Sequence, residues 1–287
     1  MSVSALQRLQ RLKPALWCPD CHGDLAFTTT AATCQGCARV FPIDHGRIFF
    51  CPPMAAGDDF DRVRRRLQLL FARFYRTVAD VIAPDLPALR RREVGRLFDP
   101  ASQIVVDIGS GSQRIHPHII GVDIVDYANV DVICDLHLLP FRPNSIDGSM
   151  SWGVLEHLRD PFAVVRALHA STRPGGHGLH MIPFMFPFHP SPKDFFRFTG
   201  EGLGVLFDGW AMVDLRNPSG PISLILLTVV EFLSVLVSGG NPRFKGMAYI
   251  LLAAAVFPLK ILDIPFRNRK SFHGLAPTLL VHVRKPD

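Results

Sequence analysis

Between Gln103 and Met150 the chain alternates short apolar runs with turns, reading IVVDI, HIIGVDI, VDVICDL and SIDGSMS. Runs this short, unalternating and rich in Val and Ile predict strands buried on both faces of a parallel sheet. Upstream, Val63, Leu67, Leu70, Phe71, Phe74, Val78 and Ile82 recur at spacings of three and four, with arginines on the other side, and predict an amphipathic helix. Pro84 and Pro87 break it, and a second helical stretch from Arg90 to Leu97 runs to Asp99-Pro100, so that 58–99 reads as a helical linker or cap. Downstream, 222–239 and 247–262 are apolar all round apart from Glu231, Pro258 and Lys260. WAMVDLRNP at 210–218 and TLLVHVRKP at 278–286 read as antiparallel strand partners on either side of them. The apolar insert 221–266 is thus expected to leave one domain, 100–287, and return to it.

A sheet of this kind is doubly wound α/β, and its ligands sit beyond the C-terminal strand ends. There the first strand runs into VVDIGSGS, a turn built on Gly109 and Gly111, with Ser112 and Arg114 following. A nicotinamide-binding loop would need a third glycine and a ribose-binding acid about 20 residues on. Asp123 comes sixteen residues after Asp107, which leaves little room for a full first helix. Acids recur at successive strand ends, at Asp107, Asp123 and Asp135. Carboxylates at these ends would repel a pyrophosphate and suit a ligand that presents hydroxyl donors or a positive charge.

Four of the six cysteines fall as CPDC (Cys18, Cys21) and CQGC (Cys34, Cys37), separated by twelve residues. Two such knuckles complete a tetrahedral zinc site with no open position, so the metal is expected to be structural. Cys51 and Cys134 match no ligand spacing and read as small buried hydrophobes. The start, MSVSALQRLQRLKPALW, lacks the apolar core and cleavage site of a secretion signal, so a cytoplasmic chain with free thiols is expected. Net charge is +6, with clusters at Arg62, Arg64, Arg65 and Arg66 and at Arg90, Arg91 and Arg92. This admits RNA, a phospholipid surface or a phosphorylated substrate without choosing among them.

CPDCHGDL followed by CARVFPIDHGRIFF resembles, over residues 15–52, the zinc-ribbon family that includes the small activator subunit of tRNA and translation-factor methyltransferases. His45 departs from that family's hairpin tip. VVDIGSGS, GVDI, CDLHLLPF and SWGVLEHLRDP, in that order, resemble over about 103–216 the class I S-adenosylmethionine-dependent methyltransferases of the type 11 group. The two resemblances imply a Rossmann-like sheet with an N-terminal zinc ribbon, and the apolar runs add a helical hairpin before the last strand. It implies that Asp107, Gly109 and Gly111 meet the methionine part of S-adenosylmethionine, Asp123 the ribose, and Asp135 with Leu136 the adenine, with Trp152 beside the cofactor.

FMFPFHPSPKDFFRFTGEGL, which begins at Phe184 with Pro183 ahead of it, resembles the acceptor-side segment of bacterial type 11 enzymes encoded with glycan-synthesis genes. His189 and Asp194 are its candidate catalytic residues, His189 as general base because its ordinary pKa lies near neutrality. The alternative is that both merely order the loop, with Arg197 paired to Asp194. Glu156 and His157 in the fourth-strand motif are expected to shape the loop beside the cofactor.

No Asn-Pro-Pro-Tyr or Asp-Pro-Pro-Tyr run is present to grip a base amine, and neither spare cysteine is placed for cytosine-C5 chemistry. The two apolar stretches would reach roughly 27 and 24 Å as helices, against a hydrocarbon core of about 30 Å. Because the chain must return to its sheet, a two-helix hairpin or a shallow dip fits, and a single crossing does not. The expectation is a methyltransferase at the cytoplasmic face of a membrane, touching it through 222–262 and acting on a small or lipid-linked acceptor such as a glycan intermediate or a quinone. An RNA methyltransferase, a non-catalytic cofactor-binding scaffold and a homo-oligomer that buries the apolar helices are the alternatives.

Overall fold

The computed structural model describes residues 3–55, 87–189 and 193–287. The helix expected over 58–83, with its arginines, lies outside the described residues, so only the end of the 58–99 cap can be compared.

The central strands form where the apolar runs predict them. They are β5 (Val105–Ile108), β6 (Ile120–Asp123), β7 (Val132–Ile133), β8 (Ile146–Trp152) and β9 (Thr172–Pro183). The N-terminal ribbon supplies β1 (Leu25–Phe27), β2 (Ala31–Cys34), β3 (Val40–Asp44) and β4 (Arg47–Phe49), and the C-terminal part supplies β10 (Ala211–Arg216) and β11 (Thr278–Arg284). All eleven share one sheet in the order β1-β2-β3-β4-β7-β6-β5-β8-β9-β11-β10. From β7 to β9 the neighbours are parallel, while β11 enters antiparallel between β9 and β10. The insert between β10 and β11 therefore leaves and re-enters one sheet, as the sequence predicts. Val105, Val106, Ile108, Val122 and Val132 are fully buried, which is why these runs carry no polar alternation.

The ribbon is joined to this sheet by backbone. Ile48 and Phe49 of β4 lie in parallel register with Val132 and Ile133 of β7. The β3–β4 tip, His45 and Gly46, has φ of 47° and 76°, as a two-residue hairpin turn with both central residues left-handed requires. A side chain at Gly46 would come within 2.5 Å of the backbone of Leu6, because helix α1 (Ala5–Leu12) rests on the tip. α1 also reaches the sheet through Arg8, whose Nε donates to the buried Asp131 at 2.9 Å.

The first crossover contains no helix at all: residues 109–119 are turns and bends. Arg114 closes this segment, donating to Asp131 at 3.0 Å and to the Ile119 carbonyl, while Asp131 also accepts from the Gly121 amide at 2.9 Å. Helix α2 (Pro87–Leu97) packs on the sheet with Val94 and Leu97, beside Phe98. Gly148 is glycine because a Cβ there would stand 2.4 Å from the Phe98 ring. Two further helices, α3 (Pro161–Ser171) and α4 (Gly200–Leu206), flank β9 in the chain and bury Val164, Leu168, Leu203 and Leu206 in the main core.

The apolar insert is a helical hairpin. Its arms are α5 (Pro221–Ser238) and α6 (Pro242–Val256), the latter continuing as a 3-10 helix over Phe257–Asp263 after which Pro258 cannot supply an amide for an α-turn. Leu227, Val230, Ala253 and Phe257 pack between the arms, while Ile225, Phe232, Leu236, Val237 and Leu251 face outward. By length and composition, Pro221–Ser238 and Phe244–Asp263 could each cross a membrane. Glu231 pairs with Lys245 across the hairpin at 2.5 Å. Its base is clamped by the buried Asp263, which accepts from the Ile222 and Ser223 amides at 2.8 and 2.7 Å and so caps α5.

Candidate active site and metal centre

Asp107, Gly109, Gly111, Asp123 and Trp152 gather at the C-terminal ends of β5, β6 and β8. After β5 the backbone turns sharply, with Gly109 at φ 61° and Gly111 at φ 59°. A Cβ on Gly109 would run into Val154 at 2.5 Å, whereas one on Gly111 would project into open space. The turn is held to the neighbouring strand by Asp123: Oδ2 accepts from the Gly111 amide at 2.9 Å and Oδ1 from the Val125 amide at 3.0 Å. Asn129 donates to the Gly111 carbonyl at 2.9 Å from the other side.

Asp107 is buried. Its Oδ2 accepts from Arg90 of α2 at 2.7 Å, and its Oδ1 has no hydrogen-bond partner among the described residues. Burial pushes this carboxyl up, to about 6, against the pull of Arg90. The Arg90 guanidinium also lies 5.1 Å from the Trp152 ring, so one cation bridges the acid of β5 and the indole of β8. The indole nitrogen of Trp152 is buried and has no partner among the described residues. Arg90 was not expected in the site: in the sequence it stands in a run of three arginines that reads as a solvated helix face.

Asp135 caps the single turn Leu136–Leu138, with Oδ1 accepting from the His137 amide at 2.9 Å and lying 2.9 Å from the His137 Nδ1. Leu136 turns its side chain into the main core, so only its backbone is left for a ligand at this strand end. An orphaned carboxylate oxygen, an orphaned indole N–H and a glycine with free space, beside acids at adjacent strand ends, fit the methionine and ribose ends of the implied cofactor.

On the acceptor side the structure joins residues that lie far apart in the chain. Glu156, in the turn Leu155–His157 after β8, is fully buried, and neither of its carboxylate oxygens has a hydrogen-bond partner among the described residues. His189 Nε2 stands 3.5 Å and His157 Nε2 3.7 Å from Glu156 Oε1. The Glu156 carbonyl accepts from the amides of Phe195 and Phe196, which draws the following loop across the turn. Asp194 has both oxygens committed: Arg197 holds each of them, and the His189 amide donates to Oδ2 at 2.9 Å. Burial works against ionisation of Asp194, but the Arg197 fork brings its pKa down to about 2. Of the two catalytic candidates, His189 therefore faces other reactive groups, whereas Asp194 orders the loop. Burial also disfavours a charged His189, yet Glu156 and Asp194 raise its pKa above the ordinary value.

Cys18, Cys21, Cys34 and Cys37 converge, with all four sulfurs within 4.8 Å of one another. The Cys18–Cys37 and Cys21–Cys34 sulfurs are 3.7 and 3.4 Å apart, near the roughly 3.8 Å edge of a tetrahedron with Zn–S bonds of about 2.3 Å. The Gly36 and Cys37 amides donate to Cys34 Sγ at 3.3 and 3.4 Å, stabilising a thiolate there. The set fits zinc. Cys134 is buried in the core and Cys51 half-buried, away from the four.

Residues 106–179 match the family model described as a methyltransferase domain. No curated protein matches the chain. Among solved structures, a Haemonchus contortus phosphoethanolamine N-methyltransferase 2 in complex with phosphomonomethylethanolamine and S-adenosylhomocysteine superposes with a TM-score of 0.48 at 17% identity, covering 80% of this chain and 61% of that one. The chain thus spans about three fifths of that relative's length. A Burkholderia thailandensis 1,6-didemethyltoxoflavin-N1-methyltransferase superposes at 0.41 and 16% identity, covering 88% of this chain and 98% of that one. A chain from a complex between a Haloferax volcanii methyltransferase activator and a methyltransferase superposes at 0.43 and 14% identity, covering 81% and 100%. The matched segment, 106–179, carries the glycine turn and the strand-end acids Asp107, Asp123 and Asp135, and it is similar to a methyltransferase domain.

Proposed function

We propose that this enzyme methylates a lipid-linked or otherwise membrane-proximal acceptor, such as a glycan intermediate or a prenylated quinone, from the cytoplasmic face of a membrane that its apolar hairpin enters. The observation that carries this reading is the position of Phe186. It packs against the hairpin cluster of Leu227, Val230, Ala253 and Phe257, and its ring centroid lies 4.8 Å from that of His189. The hairpin and the acceptor loop thus share one side chain. Phe188 and Phe195 on the same loop are 70% and 44% exposed, and the outward face of the hairpin is apolar, which suits a surface that meets lipid.

When bound, S-adenosylmethionine supplies a methyl group on a sulfonium, transferred in line to a lone pair of the acceptor. Asp123 would take the ribose hydroxyls, keeping the Gly111 amide bond that already orients its carboxylate. Asp107 and Arg90 would take the ammonium and carboxylate of the methionine end, exchanging their mutual pair for one to a zwitterion. Trp152 would cover that end with its ring. The protein's main contribution is then positioning, which is effective where the methyl carbon is already activated. Removal of a proton from a hydroxyl or amine acceptor falls to the cluster of Glu156, His157 and His189, with Asp194 and Arg197 holding His189 in place. The four cysteines would hold a structural zinc that fixes the ribbon.

The test is to incubate the full-length protein in mild detergent with methyl-labelled cofactor and, separately, a membrane lipid extract and total RNA. Label in an extractable lipid is the expected result; label in RNA alone would overturn the membrane reading and favour the RNA alternative.

A further inference from the structure

The three groups at the acceptor side raise a problem of charge. Glu156 is fully buried, and among the described residues no hydrogen-bond donor reaches either of its carboxylate oxygens. Two imidazole nitrogens approach Oε1, at 3.5 Å from His189 and 3.7 Å from His157, both too long for a hydrogen bond. The other nitrogen of each ring faces a backbone carbonyl: His157 Nδ1 lies 2.5 Å from the Lys193 oxygen and His189 Nδ1 3.0 Å from the Pro187 oxygen. Only an N–H can face a carbonyl at that distance, so each Nδ1 carries a proton, and in the neutral ring each Nε2 is free to offer its lone pair to a cation. Arg197 Nη2 is also 3.2 Å from His189 Nδ1, but that guanidinium donates to Asp194 and to the Phe186 and Pro187 carbonyls.

Two lone pairs and a carboxylate therefore converge in a buried place that calls for a cation. We infer that Glu156, His157 and His189 form a divalent-metal site, separate from the four cysteines and set beside the methyl-transfer centre. Ligand atoms about 2.0–2.2 Å from a tetrahedral ion stand roughly 3.3–3.6 Å from one another, close to the spacings seen. The Nδ1 bonds to backbone carbonyls are the outer-shell contacts that orient histidine ligands. Two imidazoles and one carboxylate suit zinc, iron(II) or manganese, and leave coordination positions open for oxygen atoms of an acceptor. The inference deepens the role proposed for this cluster: an acceptor hydroxyl bound to the ion would lose its proton to water at neutral pH, with no side chain required to take it. In that state His189 is a metal ligand and not the base.

The experiment uses the full-length protein in detergent, dialysed against zinc and then freed of loose metal. Native mass spectrometry is expected to find two zinc ions per chain, falling to one in His157→Gln and in His189→Gln. After chelation, the wild type is expected to take up one Mn2+ by electron paramagnetic resonance, with affinity at least tenfold weaker in either variant. The wild-type stoichiometry alone decides should a variant fail to fold: one zinc per chain and no bound Mn2+ overturns the inference. Methyl transfer that persists with chelator present, alongside that result, would leave the cluster as a metal-free proton acceptor. Loss of labelled product with metal binding intact would instead remove the acceptor proposed above.

Discussion

Arg90 donates to Asp107 at 2.7 Å while its guanidinium lies 5.1 Å from the Trp152 ring, so a residue from the helix before the sheet closes the tip of the first catalytic strand. In the account given above this pair opens onto a zwitterion, each partner exchanging one opposite charge for another. Arg90→Ala should then weaken S-adenosylmethionine, because a charge-assisted contact is lost and Asp107 is left buried without a cation. Such contacts are worth about 1.5–3 kcal/mol, so the dissociation constant should rise roughly tenfold to a hundredfold in a calorimetric titration. Tighter binding by Arg90→Ala would show instead that the arginine blocks the site.

The buried Asp107 also sets a pH dependence. Its pKa lies near 6 in the folded chain, against about 3.9 for a free aspartate. A raised folded pKa means that the native state holds this proton more tightly than the unfolded one. The group's stabilising contribution is thus full below about pH 4 and is lost as pH rises through 6. Cofactor affinity runs the other way, because only the ionised acid pairs with an ammonium. Titrations between pH 5 and 7 should show tighter binding as pH rises, and Asp107→Asn should abolish that trend along with most of the affinity.

Asp131 carries a structural prediction. Its two oxygens serve Arg8, Arg114 and the Gly121 amide, with its side chain only 2% exposed. Asp131→Asn would leave two arginines sharing a buried place without their counter-ion. Breaking a buried pair of this kind costs about 3–5 kcal/mol, which denaturant unfolding would register as a large drop in midpoint. An unchanged midpoint would mean that the short first crossover is held by other contacts.

The outward face of the hairpin supplies another test. Phe232, Leu236 and Leu251 are 63%, 64% and 67% exposed, so changing all three to Glu should leave the fold and its melting temperature largely unchanged. Flotation with phospholipid vesicles should be lost in the variant and present in the wild type. A wild-type protein that stays monomeric and monodisperse without detergent, and does not float, would contradict membrane entry.

The legibility of the fold followed the physics of each segment. Strands buried on both faces are mostly apolar, so β5 and β6 could be read as short apolar runs ending at an acid, whereas β8 buries Asp147, Ser149 and Ser151 among its apolar residues, and the cysteine spacing is that of two knuckles whose sulfurs converge. Gly109 and Gly111 were legible because the turn needs left-handed backbone. Contacts that depend on the path of the chain were not. Arg90 reaches Asp107 from a helix whose charge run reads as solvated surface, and Asp131 hides its two arginines in a strand start that looks like any other acid. Glu156 and His189 are 33 residues apart, and nothing in either motif states that their side chains meet. Asp194, a catalytic candidate in the sequence, is instead saturated by Arg197 and the His189 amide, a bond pattern set by a local turn.

The central claim is that the acids at the strand tips hold S-adenosylmethionine, and calorimetric titration of the purified full-length protein with that compound tests it most directly. One molecule should bind per chain with a dissociation constant in the micromolar range, and Asp123→Ala, still folded, should bind at least tenfold more weakly. Absence of heat at concentrations suited to micromolar binding, or an Asp123→Ala protein that binds as well as the wild type, would contradict it.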